Sequence, residues 1–285
     1  MDIARDILES HFKSTGWKLA RPSFGRSHES YFAENEFHSL FIKFDIVSDC
    51  LETLSDLSIA PRLVTHGTHA SRHYVIQELV EGVHPTKQWL AANAAGLART
   101  MKRYHESPGL KRVLAHSRMS NGVEHAQGEL KALLHKFDSS RSSIVRNAST
   151  ASGLMLLAES VACVPVDVVP THGDPNPSNL IVVEDVIVIV DWDGITLSDQ
   201  WRDMSLLLWR YIERANWREF FDAYGVRFGR AEQARFFWWL AHGSLTIAIW
   251  FIGNGDHSQA QVYMSDFLSA VSRLSEVSSR SRGCT

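Results

Sequence analysis

The stretch LIVVEDVIVIV at 180–190 is two apolar, β-branched runs around Glu184-Asp185, and it constrains the fold more than any other part of the chain. Runs of Val and Ile this short suit paired strands better than a helix, and the acidic pair between them suits a tight turn. With the turn at Glu184-Asp185, Asn179 opposes Val190 and Ser178 opposes Asp191. Asn179 and Asp191 then become diagonal neighbours at the open end of one hairpin. Such neighbours lie about 7–8 Å apart at Cα, close enough for an amide oxygen and a carboxylate to share one cation. Hard oxygen donors of this kind suit Mg²⁺, which keeps several waters and completes its shell with phosphate oxygens.

The hairpin is preceded by THGDPNPSNL, residues 171–180. Pro175 and Pro177 fix φ and stiffen the loop, so Asp174 is held in place five residues before Asn179. A carboxylate beside a metal-bound polyphosphate can orient an acceptor hydroxyl and take its proton, which assigns Asp174 as a general base, with Asn179 and Asp191 as metal ligands. The spacing of His172, Asp174 and Asn179 is that of the protein-kinase catalytic loop H-R-D-L-x-x-x-N, and Asp191 follows across a hairpin as the D-F-G aspartate does.

Taken together, HGDPNPSNLIV, VIVIVDWDG and DQWRDMSLL resemble the aminoglycoside phosphotransferase and choline kinase-like family of small-molecule kinases. The resemblance implies an α+β, bilobal protein-kinase-like fold: a small antiparallel β N-lobe with one helix and a larger, mainly helical C-lobe. It implies ATP (or GTP) and Mg²⁺ as cofactors and phosphoryl transfer to an alcohol group. By similarity, Asp174 is the catalytic aspartate, Asn179 and Asp191 are the magnesium ligands, and His172 and Asp203 support the catalytic loop.

The rest of the chain is organised accordingly. Residues 2–13 have helical spacing, and then WKLAR, SYFAEN, SLFIKF, PRLVTH and HYVIQELV read as strands, interrupted by one helix at 46–57. Helical periodicity takes over in 87–105, 121–137 and 147–162 and returns after the hairpin to about 275; the Ser/Arg-rich tail is expected to be disordered. The expected division is an N-terminal nucleotide-binding lobe at 1–79, a hinge at 80–84 and a catalytic and acceptor-binding lobe at 85–285, with the ligand in a cleft between them.

Under the kinase hypothesis a strand lysine should reach the nucleotide phosphates. Leu40, Ile42 and Phe44 share one face of SLFIKF, which turns Lys43 to the other. Its acidic partner is expected in the following helix, Glu52 in preference to Asp49. The loop FGRSHES at 24–30 lacks the G-x-G-x-x-G pattern but offers Gly25, Ser27 and Ser30 to the phosphates. Adenine is expected against backbone groups at Glu78 to Val80.

Composition narrows the partners. With 29 Lys and Arg against 32 Asp and Glu and a pI near 6.5, no basic field calls for nucleic acid or an anionic membrane. Three scattered cysteines form no disulfide or zinc pattern, and the N-terminus lacks a signal peptide, so a cytoplasmic location is expected. FFWWLAHGSLTIAIWFIG at 236–253 is at the short limit for a membrane span and reads as a buried helix. The partner is thus a small-molecule hydroxyl acceptor. Asp193, Asp199, Glu213, Glu219, Asp222, Glu232 and Asp256 favour an aminoglycoside or another cationic antibiotic, hence a resistance enzyme. The alternatives are a metabolic kinase for choline, homoserine, thiamine or a sugar, with tryptophans framing a quaternary ammonium in the choline case, or a pseudokinase-like nucleotide-binding module.

Overall fold

The computed structural model describes residues 2–22, 28–46, 48–116, 122–139, 142–160 and 167–282. They form two compact units. The sheet unit comprises residues 1–85, 108–113 and 176–194, and the helical unit comprises 86–107, 114–175 and 195–285.

The sheet unit opens with helix α1 (Asp2–Phe12), followed by β1 (Lys18–Ala20), β2 (Ser30–Glu34), β3 (Ser39–Phe44), α2 (Leu51–Asp56), β4 (Leu63–His69) and β5 (Arg72–Glu78). The strands form one antiparallel sheet in the order β1-β2-β3-β5-β4. Alternation works as the sequence predicts: Leu40, Ile42 and Phe44 are buried, together with Ile7, Leu8 and Trp17, while Lys43 takes the opposite face. Helix α2 is shorter than expected and starts at Leu51. Cys50, just before it, is buried, and burial, helped by the charge of Asp49, pushes its thiol up to about 11.

The hairpin β7 (Leu180–Val183) and β8 (Val186–Ile189) belongs to this unit. Its register pairs Leu180 with Ile189 and Val183 with Val186, as the turn placement predicts. Glu184 and Asp185 both have positive φ, 47° and 67°, the conformation a two-residue hairpin turn requires. Two connections hold the hairpin. Ile189 N–H donates to Ile59 O at 2.7 Å, and Val83 exchanges two backbone bonds with Val182. The second explains Gly82: a Cβ there would stand 2.5 Å from Val182 O and 2.6 Å from an Ile181 methyl.

The helical unit contains α3 (Lys87–Ala92), α4 (Ala94–His105), most of the chain from α5 (Pro108–His116) through α6 (Gly122–Ser139) and α7 (Ala148–Ser160), the strand pair β6 (Val169–Thr171) and β9 (Thr196–Ser198), then α8 (Trp201–Tyr211), α9 (Trp217–Tyr224), α10 (Arg230–Gly253) and α11 (His257–Arg282). Three features depart from expectation. The helix expected across 87–105 breaks at Asn93, where the backbone leaves helical geometry (φ −116°, ψ 22°) and both the side-chain amide and the backbone N–H donate to Trp89 O. The strands β6 and β9 are three residues each, too short to leave a period in the sequence. The tail expected to be disordered stays helical to Arg282, since extending a formed helix costs little.

The core of this unit is aromatic: Trp201, Phe220, Phe236, Trp238 and Phe267 are fully buried. Burying one such ring contributes about 2–3 kcal/mol. Helix α10 is long and apolar enough to cross a membrane, the one such helix among the described residues, and 56% of its most apolar window is buried inside the protein.

Candidate active site

In the sheet unit, the charged groups gather around Lys43. Its Nζ lies 2.7 Å from Asp191 Oδ1 and is also ion-paired with Asp193 Oδ2. His28 Nε2 lies 3.6 Å from the same Asp193 oxygen. Lys43 is 11% exposed at its side chain, whereas Asp191 is 46% exposed, so the carboxylate is open to a further ligand. Asp191 has φ 65°, left-handed for a residue with a Cβ, which costs about 1 kcal/mol and persists because the Lys43 pair and the hairpin over-determine it. Ser30 stands directly opposite Lys43 in the β2–β3 register and therefore shares its face.

Asn179 ends a 3₁₀ turn, Pro177–Asn179, that delivers the chain into β7. The turn is capped by Asn176, whose side-chain oxygen accepts from Ser178 N–H at 2.8 Å. Val190 N–H donates to Asn179 O at 2.9 Å, so the ladder runs one pair beyond the strands and brings Asn179 beside Asp191 at the hairpin's open end. One amide oxygen and one carboxylate, with phosphate oxygens to complete the shell, fit Mg²⁺. No group of three His, Cys, Asp or Glu able to hold a metal unaided lies among the described residues.

In the helical unit, Asp203 organises the loop that carries Asp174. Its carboxylate is buried and accepts from His172 N–H at 2.8 Å, Gly173 N–H at 2.7 Å and the Tyr104 hydroxyl at 2.7 Å, with His105 Nε2 at 3.0 Å. Gly173 has φ 92°, which lets two consecutive N–H groups converge on one carboxylate. Burial alone would raise the Asp203 carboxyl, but the hydrogen bond and charge of His105, the charge of His172 and the Gly173 N–H hold it below its ordinary value. Burial, then Asp203, pushes the Tyr104 hydroxyl well up. His105 Nδ1 is 2.7 Å from the Tyr224 hydroxyl, which donates to Gln200. His172 Nδ1 accepts from Asp174 N–H at 3.2 Å, so the backbone of Asp174 is fixed while its side chain is exposed.

Several expected site residues stand elsewhere. Glu52 does not pair with Lys43, because Leu51 and Leu54 are buried and the helical turn between them directs Glu52 to solvent; Asp49 is exposed too. Asp191 and Asp193 pair with the lysine instead. Gly25 and Ser27 lie outside the described residues. Glu78 pairs with Arg62 through its carboxylate and donates its N–H to Arg62 O at 2.9 Å, and Leu79 N–H donates to Ser39 O. Val80 makes no backbone hydrogen bond among the described residues.

Among the acids expected to receive a polycation, Asp193 is paired with Lys43, and Asp199 is buried in a two-pronged pair with Arg235 at 2.8 and 2.6 Å. Trp201, Trp217, Trp238 and Trp239 are buried in the aromatic core. Asp193 was expected to face the acceptor and instead pairs with Lys43, and Tyr104, His105 and Tyr224 had no site role assigned from sequence. Tyr104 and His105 are adjacent at the buried face of α4, whereas Tyr224 comes from α9.

The model of the phosphotransferase enzyme family (APH) matches residues 16–238. Three solved structures, each 14% identical, share the fold. A thermostable mutant of aminoglycoside phosphotransferase APH(4)-Ia in its apo form has a TM-score of 0.71 and covers 99% of this chain and 100% of its own. Choline kinase LicA from Streptococcus pneumoniae has a TM-score of 0.70 and covers 96% and 98%. Spectinomycin phosphotransferase APH(9)-Ia, in complex with ADP and spectinomycin, has a TM-score of 0.65 and covers 96% and 93%. The kinase-like α+β architecture expected from the motifs is the one these neighbours share.

Proposed function

Because the chain belongs to the phosphotransferase enzyme family, we propose that it moves the γ-phosphate of ATP or GTP to a hydroxyl of a small molecule, with Asp174 as the base. Lys43 supplies positive charge to the nucleotide phosphates, with Ser30 on the same face, and Val80 presents backbone groups to the base. Asn179 and Asp191 hold Mg²⁺, which when bound neutralises charge on the phosphates. Asp174 accepts the hydroxyl proton as the acceptor oxygen forms its bond to the γ-phosphorus and the bond to the bridging oxygen of the leaving diphosphate breaks. Asp203 and His172 are positioning residues: they fix the backbone on either side of Gly173 and so aim Asp174. A cytoplasmic setting, where ATP is abundant, suits this chemistry.

The observation that carries this reading is the 2.7 Å contact between Lys43 and Asp191, residues 148 apart in sequence, at the hairpin end where Asn179 also stands. Calorimetric titration with Mg²⁺ and ATP tests it. Asp191→Ala and Asn179→Ala should each weaken binding about tenfold or more, as loss of a charged ligand does. Undiminished affinity in both would remove the hairpin from the site. Of the acceptors expected from sequence, the polycationic antibiotic has the weaker support, since Asp193 and Asp199 are committed to internal cations.

A further inference from the structure

Two adjoining cavities open on the helical unit, of about 550 and 530 Å³, and they share Arg214, Trp217 and Arg273. The first adds Arg230 and a wall of Phe228 and Phe237; the second adds Lys87, Arg210 and Tyr211. Five cations therefore line the groove, against the two carboxylates of Glu213 and Glu276. This is the reverse of the acid-lined pocket a polycation needs.

Not all five are spent on internal pairs. Arg210 is committed to Asp266, and Arg230 donates to Val277 O. Arg273 has only an exposed contact with Glu276 at 3.5 Å, of a kind that contributes little. Arg214 and Lys87 have no carboxylate within ion-pair distance among the described residues. Arg214 is nevertheless held in place, with its guanidinium 5.5 Å from the Trp209 ring and 5.3 Å from the Trp217 ring. Both indoles are anchored in turn: Trp209 N–H donates to Asp266 at 2.9 Å, and Trp217 N–H to Leu208 O and Ile212 O. A positioned guanidinium without an anion beside an apolar wall fits an oxyanion carried on a ring or chain.

The groove and Asp174 belong to the same helical unit. Arg210, on its rim, stacks 4.2 Å from the Tyr263 ring. The Tyr263 hydroxyl is pushed up by burial, by neighbouring Tyr211 and, further, by the charge of Asp174.

We propose that this groove holds an anionic group of the phosphoryl acceptor, a carboxylate or a phosphate monoester, and so selects acidic hydroxyl compounds over polycationic ones. The inference rests on Asp174 as the base of a phosphotransferase. Like charge across the groove disfavours an aminoglycoside, while an acid gains a charge-assisted hydrogen bond from Arg214 and another from Arg273.

The test is a calorimetric titration in saturating ADP and Mg²⁺, with benzoate and inorganic phosphate as anionic probes and benzamide as the neutral control. At least one anion should bind saturably, benzamide about tenfold or more weaker, and Arg214→Gln/Arg273→Gln should cost the anion about tenfold or more. Arg214→Lys should restore part of the loss. Which anion binds separates a carboxylate from a phosphate. Absence of saturable anion binding, equal binding of benzamide, or unchanged affinity in the double variant would overturn the proposal. ADP binding in the same cell is read separately, so failure of the nucleotide reading shows as lost ADP heat and not as lost anion heat. In ADP release, hydroxy acids or sugar phosphates should exceed their methyl esters and any aminoglycoside through a lower KM; an aminoglycoside with the higher kcat/KM contradicts the proposal.

Discussion

Two aspartates of this protein do opposite work. Asp203 is buried and meets two backbone N–H groups, a phenol and an imidazole. Asp191 is half exposed, sits in a left-handed conformation and meets one ammonium group. The buried carboxylate has its hydrogen-bonding capacity filled from within, so it stabilises and positions. The exposed one keeps hydrogen-bonding capacity open to solvent, and its left-handed backbone is held by the Lys43 pair and the hairpin. Charge that holds a loop and charge left open to solvent are thus separated by burial.

The largest expected effect on stability is at Asp203. Asp203→Ala leaves His172 N–H, Gly173 N–H, Tyr104 and His105 without their shared acceptor and should cost about 3–5 kcal/mol in urea unfolding. A loss below about 1 kcal/mol would erase the contrast. Gly82→Ala comes next, at about 1–3 kcal/mol, because its Cβ meets the backbone oxygen of Val182 and the hairpin must shift. Thermal unfolding of that variant, with Gly96→Ala as the control where nothing lies within 4 Å, measures it.

Acid sharpens the same comparison. The Asp203 carboxyl is depressed in the folded protein, so its stabilisation is complete above the ordinary value of 3.8 and is lost as pH falls through the lower folded value. The urea midpoint of the wild type should therefore fall more steeply below pH 4 than that of Asp203→Asn; parallel curves would deny the depressed carboxyl. The smallest effect belongs to Asp191→Asn, expected to change stability by about 1 kcal/mol or less, as exposed pairs do. A loss matching that of Asp203→Ala would make both aspartates structural.

Much of this was legible beforehand where a local period carried it. The hairpin register followed from a turn between two β-branched runs, and the outward face of Lys43 followed from strand alternation. What stayed hidden depends on tertiary meetings that no period encodes. Lys43 pairs with Asp191 and Asp193, far along the chain, and not with the acid in the next helix, because Leu51 and Leu54 set that helix's inner face. His105 and Tyr224, which close the Asp203 cluster, are 119 residues apart. Gly82 owes its place to the approach of the Val182 backbone, which nothing in the neighbouring sequence displays. The strand pair β6 and β9 escaped because three residues cannot display alternation.

The most direct measurement of the central claim is Mg²⁺-dependent ADP release by Asp174→Asn, run beside its ADP affinity, with an acceptor that the wild type phosphorylates. Turnover should fall about 10²- to 10⁴-fold, the usual contribution of a general base, while ADP binds as tightly as before. Turnover within a few-fold of wild type would remove Asp174 from the reaction.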